Sequence, residues 1–98
     1  MRDGMPIRSV RHKPLSRLFH EDVRRGLPAE HVNKLRRILA ALDAAEDIEE
    51  MRAYPGWRLH SLRGDLEGFW SITISANWRL IFRFEKGDAF DVDLIDYH

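Results

Sequence analysis

Three consecutive residues near the end of the sequence can do acid–base chemistry: Asp96, Tyr97 and His98. A second imidazole, His60, lies upstream in "WRLHSLR", and "NWRLIFRF" contributes Arg79 and Arg83. Histidine exchanges protons near neutrality, so it serves as base or acid. The planar arginine fork suits phosphate oxygens. Together these groups fit cleavage of an RNA phosphodiester. A base takes the 2′-hydroxyl proton, an acid protonates the leaving 5′-oxygen, and positive charge steadies the phosphorane. A positioned acid–base pair supplies ~10²–10⁴-fold, and oriented charge on the transition state often contributes more. The same residues also admit a plainer account. In that account His60 is an ordinary surface histidine, and the last residues fray as chain ends commonly do.

The elements that must position these groups are legible in the periodicity. "IRSVRH" (Ile7 to His12) reads as a short first strand. Lys13-Pro14 opens a helix, with Pro acceptable in the first turn. Its stripe is Leu15, Leu18, Phe19 and Val23, and Gly26 is its stop signal. Pro28 begins a longer helix with the apolar stripe Val32, Leu35, Ile38, Leu39 and Leu42. "DAAEDIEE" suits a turn and a short third helix, which "YPG" breaks. From Trp57 onward the period becomes two. "WRLHSLR", "FWSITIS", "WRLIFRF" and "FDVDLI" read as four strands. Asn77 tolerates the positive φ of one turn, and Gly87 provides the flexibility of another. The expectation is a single α+β domain spanning 1–98. Two N-terminal helices cover one face of a mainly antiparallel sheet of four to five strands.

Alternation divides the side chains between the two faces. Trp57, Leu59, Trp70, Ile72, Ile74, Trp78, Leu80, Phe82, Phe84, Phe90, Val92 and Leu94 face the helices. Arg58, His60, Ser71, Thr73, Arg79, Ile81, Arg83, Asp91, Asp93, Ile95 and Tyr97 face away. A one-residue slip would bury two arginines, so the register is well specified. Strict alternation puts Asp96 and His98 on the helix face. A tail at a sheet edge, where both faces are reachable, brings all three terminal residues to a cleft rim with His60. The tryptophans are expected in the core. Phe69, on the open face, either stacks on a base or covers the sheet edge.

Several function classes are excluded or disfavoured. The 98 residues contain no cysteine, which removes disulfides and cysteine-based zinc sites and fits a reducing cytoplasm. No two of the five histidines have the i, i+4 spacing of a zinc-protease helix, so no metal site is expected. No apolar run reaches membrane-spanning length, and no phosphate-binding glycine motif or G-x-S-x-G elbow occurs. Formal net charge is zero but uneven. Residues 1–42 carry +6 and residues 43–50 carry −5. The basic part suits a solvated helix surface, an acidic partner or a phosphate backbone.

The segment "RLHSLRGDLEGFWSITISANWRLIFRFEKGDAFDVDLIDYH", with "IRSVRHKPLSRLF" and "LRRILAALDAAEDIEEM", resembles HigB toxins of the RelE/ParE superfamily. The resemblance runs from about Ile7 to His98, and its most specific elements are "LHSLRGD", "NWRLIF" and "DYH". It implies a RelE-like fold and a metal-independent, ribosome-dependent endoribonuclease that cuts messenger RNA, leaves a 2′,3′-cyclic phosphate and needs no cofactor. The family's catalytic residues match at His60, Asp96, Tyr97 and His98. Arg63, where relatives often carry lysine, and Arg79 match its phosphate contacts. Ser61 departs from a usual proline. In the implied roles His60 and His98 share the acid and base work. Tyr97 orients the nucleotide or stacks on it, and Asp96 orients an imidazole or binds ribose. The resemblance further implies a helix-turn-helix antitoxin, with promoter DNA bound only through the toxin–antitoxin complex. Two rivals stay open on the sequence: a ParE-like topoisomerase poison on the same fold, and a non-catalytic module that binds antitoxin or DNA.

Overall fold

The structure is a computed structural model that describes residues 6–96. Helix α1 spans Lys13–Glu21. Its start is capped by His12, whose Nδ1 accepts a hydrogen bond from the Leu15 amide at 3.2 Å. Leu15 and Leu18 are buried. The helix stops earlier than the Gly26 signal suggests. Asp22 adopts a left-handed conformation at φ 59°, and its amide closes onto the Arg17 and Leu18 carbonyls. Short polar side chains tolerate that region. Val23 therefore leaves the stripe and is 37% exposed. Gly26 shapes the following loop, since a Cβ there would meet the Pro14 ring at 3.0 Å.

A single 3₁₀ turn, Ala29–His31, leads into helix α2, Val32–Ala44. All five expected stripe residues of α2 are buried. The acidic segment forms a 3₁₀ helix, Ile48–Ala53, opened by a reciprocal cap between Asp47 and Glu50.

Four strands follow: β1 His60–Ser61, β2 Trp70–Thr73, β3 Trp78–Glu85 and β4 Asp88–Asp96. They form an antiparallel sheet in the order β1-β2-β3-β4. The β3–β4 hairpin turns on Lys86 and Gly87, both at positive φ, which matches the right-handed twist of the strands. The β2–β3 turn works differently from expectation. Asn77 is not among the positive-φ positions, and the Ser75 hydroxyl accepts the Trp78 amide instead.

Ile72, Leu80, Phe82 and Val92 are fully buried in one core with the stripes of α1 and α2. Each such side chain contributes about 1.5–3 kcal/mol by leaving water. Trp70, Trp78 and Phe84 pack at the margin of this core, half-buried.

Two strand expectations are corrected. Phe90 is not on the helix face, and Ala89 takes that place, fully buried. Between the pairs Ile81–Asp93 and Arg83–Phe90, Phe82 faces two residues of β4. The extra residue is Asp91, at φ 53°, and this bulge reverses the alternation before it. The N-terminal segment, read as a strand, instead laces this bulge. It makes two isolated parallel bridges, Ile7 with Ala89 and Val10 with Val92, while Ser9 Oγ accepts the Asp91 amide at 2.8 Å.

Candidate active site

The site begins where β1 is interrupted. Trp57 and Leu59 are buried in the core, so Arg58 and His60 point to the other face. Arg58 has φ 52°, a left-handed conformation that an arginine rarely adopts. This kink keeps β1 to two residues, although the Trp57 carbonyl still accepts the Thr73 amide at 2.8 Å. It also brings the Arg58 carbonyl to 2.9 Å from His60 Nδ1. A carbonyl can only accept, so that contact requires the proton on Nδ1. In the neutral ring Nε2 is then left as the proton acceptor.

The pairing carries His60 across the open face through Ser71 and Ile81 to Asp93. Neighbouring strands lie about 4.8 Å apart, so this row spans roughly 14 Å. A second row runs from Thr73 through Arg79 to Ile95. Between them opens a pocket of about 190 Å³ lined by Arg58, His60, Leu62, Ser71, Thr73, Arg79, Ile81 and Ile95. Among the described residues its charged lining is cationic, with Arg58 and Arg79 present and no carboxylate side chain. Arg79 is held by the β2–β3 turn, where its Nη1 donates to the carbonyls of Ser75 at 2.5 Å, Trp78 at 3.2 Å and Ala76 at 3.3 Å. A guanidinium fixed in this way presents its charge to an anion from a set position.

The pocket therefore joins His60 and Arg79, with Ile95 at its edge. Asp96 follows directly, exposed and paired with Trp78. Tyr97 and His98 lie outside the described residues. Arg63 is exposed at the entry of the 3₁₀ turn Gly64–Leu66 and does not line the pocket. Arg83 does not line it either. It is exposed on the same face, and its guanidinium lies 5.9 Å from the Phe69 ring. Arg11 approaches that ring at 5.7 Å. Phe69 is 8% exposed beneath them, so of its two expected roles the structure favours covering the sheet over stacking on a base. Arg58 is the charged lining residue that the motifs do not point to. Its place on the open face is visible in the alternation, but its backbone conformation has no signal in the sequence.

Other titratable groups stand apart from the pocket. Burial holds His12 below the usual histidine range, with Asp93 pulling weakly the other way. Burial lowers Lys34 as well, aided by Arg37, while its ammonium donates to the Ile74 carbonyl at 3.1 Å. Among the described residues no cluster of three metal-binding side chains occurs, and no helix is long and apolar enough to cross a membrane.

Residues 8–98 match the family model described as the RelE-like toxin of type II toxin–antitoxin system HigB. The chain is 45% identical over 92 residues to the endoribonuclease HigB of Proteus vulgaris, across 94% of this chain and 99% of that protein. It is 38% identical over 78 residues to toxin HigB-1 of Vibrio cholerae, across 78% of this chain and 82% of that one. A solved YoeB/ParE toxin from Agrobacterium tumefaciens aligns over 88% of each chain, with 19% identity and a TM-score of 0.44.

Proposed function

The chain belongs to the HigB-like toxins of type II toxin–antitoxin systems, and on that premise we propose that it is an endoribonuclease that cuts messenger RNA on the ribosome without a metal ion. The observation that carries this reading is the pocket that sets His60 beside a turn-anchored Arg79 where β4 ends. His60, with its proton on Nδ1, accepts the 2′-hydroxyl proton at Nε2. The 2′-oxygen then attacks phosphorus, and the bond from phosphorus to the 5′-oxygen breaks. His98 gives its proton to that leaving oxygen, so the products are a 2′,3′-cyclic phosphate and a 5′-hydroxyl. Arg79 holds the scissile phosphate, and Arg63 and Arg83 contact RNA phosphates. Tyr97 orients the nucleotide or stacks on it, and Asp96 orients an imidazole or binds ribose.

Membership of the family implies an antitoxin partner. We propose a helix-turn-helix antitoxin, with promoter DNA engaged only through the complex, and action in the cytoplasm on ribosome-bound message. Primer extension on message from induced cells tests the nuclease reading. Discrete new 5′ ends within codons support it. DNA breaks with intact message would replace it with topoisomerase poisoning, and neither lesion would leave only a binding module.

A further inference from the structure

The kink at Arg58 has no packing reason in its side chain, which is exposed and lines the pocket. We propose that Arg58 is a positioning residue. Its left-handed backbone aims its carbonyl at His60 Nδ1 and so fixes the tautomer that leaves Nε2 ready to take a proton. Three observations converge on this. Arg58 is one of four non-glycine residues at positive φ among the described residues. The others each close a helix, a hairpin turn or a bulge, at Asp22, Lys86 and Asp91. Arg58 alone sits next but one to a candidate catalytic group and bonds to it, at 2.9 Å. Backbone held in a sparsely populated region tends to cluster where geometry serves function.

The contact matters because an unrestrained neutral imidazole favours the other tautomer, with its proton on Nε2. That tautomer offers no lone pair toward a substrate on the Nε2 side. In an extended β1, alternation would turn the Arg58 carbonyl across the strand toward a ladder partner rather than back toward its neighbour's side chain. The left-handed residue thus gives up one step of strand to gain a ring orientation. This inference rests on His60 being the base of the proposed reaction, but its structural half does not depend on any cleavage.

The test is the imidazole nitrogen spectrum of His60 in the free protein, read together with single-turnover cleavage of ribosome-bound message. The wild type is expected to show the Nδ1–H tautomer. Arg58→Gly and Arg58→Asn, which accept positive φ, keep that signature and lose no more than about tenfold in cleavage. Arg58→Val, which resists positive φ, shifts the ring toward Nε2–H and loses about 10²–10⁴-fold, the range of a positioned base. A wild-type ring already in the Nε2–H form would overturn the proposal, whatever the activity, and this readout holds even where Arg58→Val fails to fold. Equal losses in the glycine and valine variants, with the tautomer unchanged, would overturn it too and assign the effect to the guanidinium. Correct tautomers with no RNA cleavage in the wild type would instead retire the nuclease reading and leave the positioning intact.

Discussion

Arg79 is the residue whose removal should separate charge from scaffold. Its guanidinium is tied to the turn through the Ser75, Ala76 and Trp78 carbonyls and faces the pocket that holds His60. A charge-assisted hydrogen bond to phosphate contributes about 1.5–3 kcal/mol. Its loss in Arg79→Ala should slow cleavage by about 10- to 150-fold, at 1.36 kcal/mol per decade. The same change strips the turn of its donor. The Trp78 carbonyl keeps the Ile74 and Ser75 amides, so the groups left to water are the carbonyls of half-buried Ser75 and exposed Ala76. A net loss of about 1 kcal/mol is expected there, lowering Tm by about 4–8 °C in a domain of this size. Arg79→Lys keeps the charge but lacks the fork needed to hold turn and phosphate together. It should fall between wild type and alanine in cleavage and resemble alanine in Tm. Single-turnover cleavage on programmed ribosomes and thermal melts read the two effects separately. Alanine cleaving within about threefold of wild type would refute the assignment of phosphate binding to Arg79, being well short of the loss of a charged hydrogen bond.

Other outcomes follow from the fold. His12 caps α1 through an unprotonated Nδ1, and burial holds its folded-state pKa below the usual 6.5. The unfolded chain therefore binds that proton more readily, and stability is lost as pH falls through about 6.5 toward the lowered folded value. His12→Asn keeps a cap acceptor and should flatten that slope in melts taken between about pH 5 and pH 8, the window around an ordinary histidine, while an unchanged slope would remove His12 as its source. Leu80→Ala, at a fully buried site, should cost about 2–5 kcal/mol and lower the urea midpoint with little change in m. At the bulge, Asp91→Val should be worse than Asp91→Gly by about 1–3 kcal/mol, because glycine accepts φ 53° without strain and a β-branched side chain does not. Equal melting points for the pair would show that the bulge relaxes.

The readable and unreadable parts of the chain differ in physical kind. The α2 stripe and the alternation of β3 are legible because each repeats a period against one large core, so a slip would bury arginines. The open face follows from the same alternation, and with it His60 and Arg79. Single-residue events are not legible. The helix α1 ends at Asp22 because an aspartate accepts a conformation for which Gly26 is the stronger local signal. The bulge at Asp91 exchanges Phe90 for Ala89 on the core side, and that choice depends on how Ser9 and its neighbours lace the strand, a contact far away in sequence. Arg58 escapes for the same reason, since its side chain follows the period while its backbone breaks it. Arg63 and Arg83 carry family or face signals but stand outside the pocket lining.

The most direct test is the single-turnover rate of His60→Ala on ribosome-bound message, with the fold checked by its melt. Proton removal by that imidazole predicts a loss of about 10²–10⁴-fold with an unchanged Tm, because the side chain is exposed. Cleavage within about tenfold of wild type by a folded variant, below the range of a positioned base, would contradict it and move the base elsewhere on the open face.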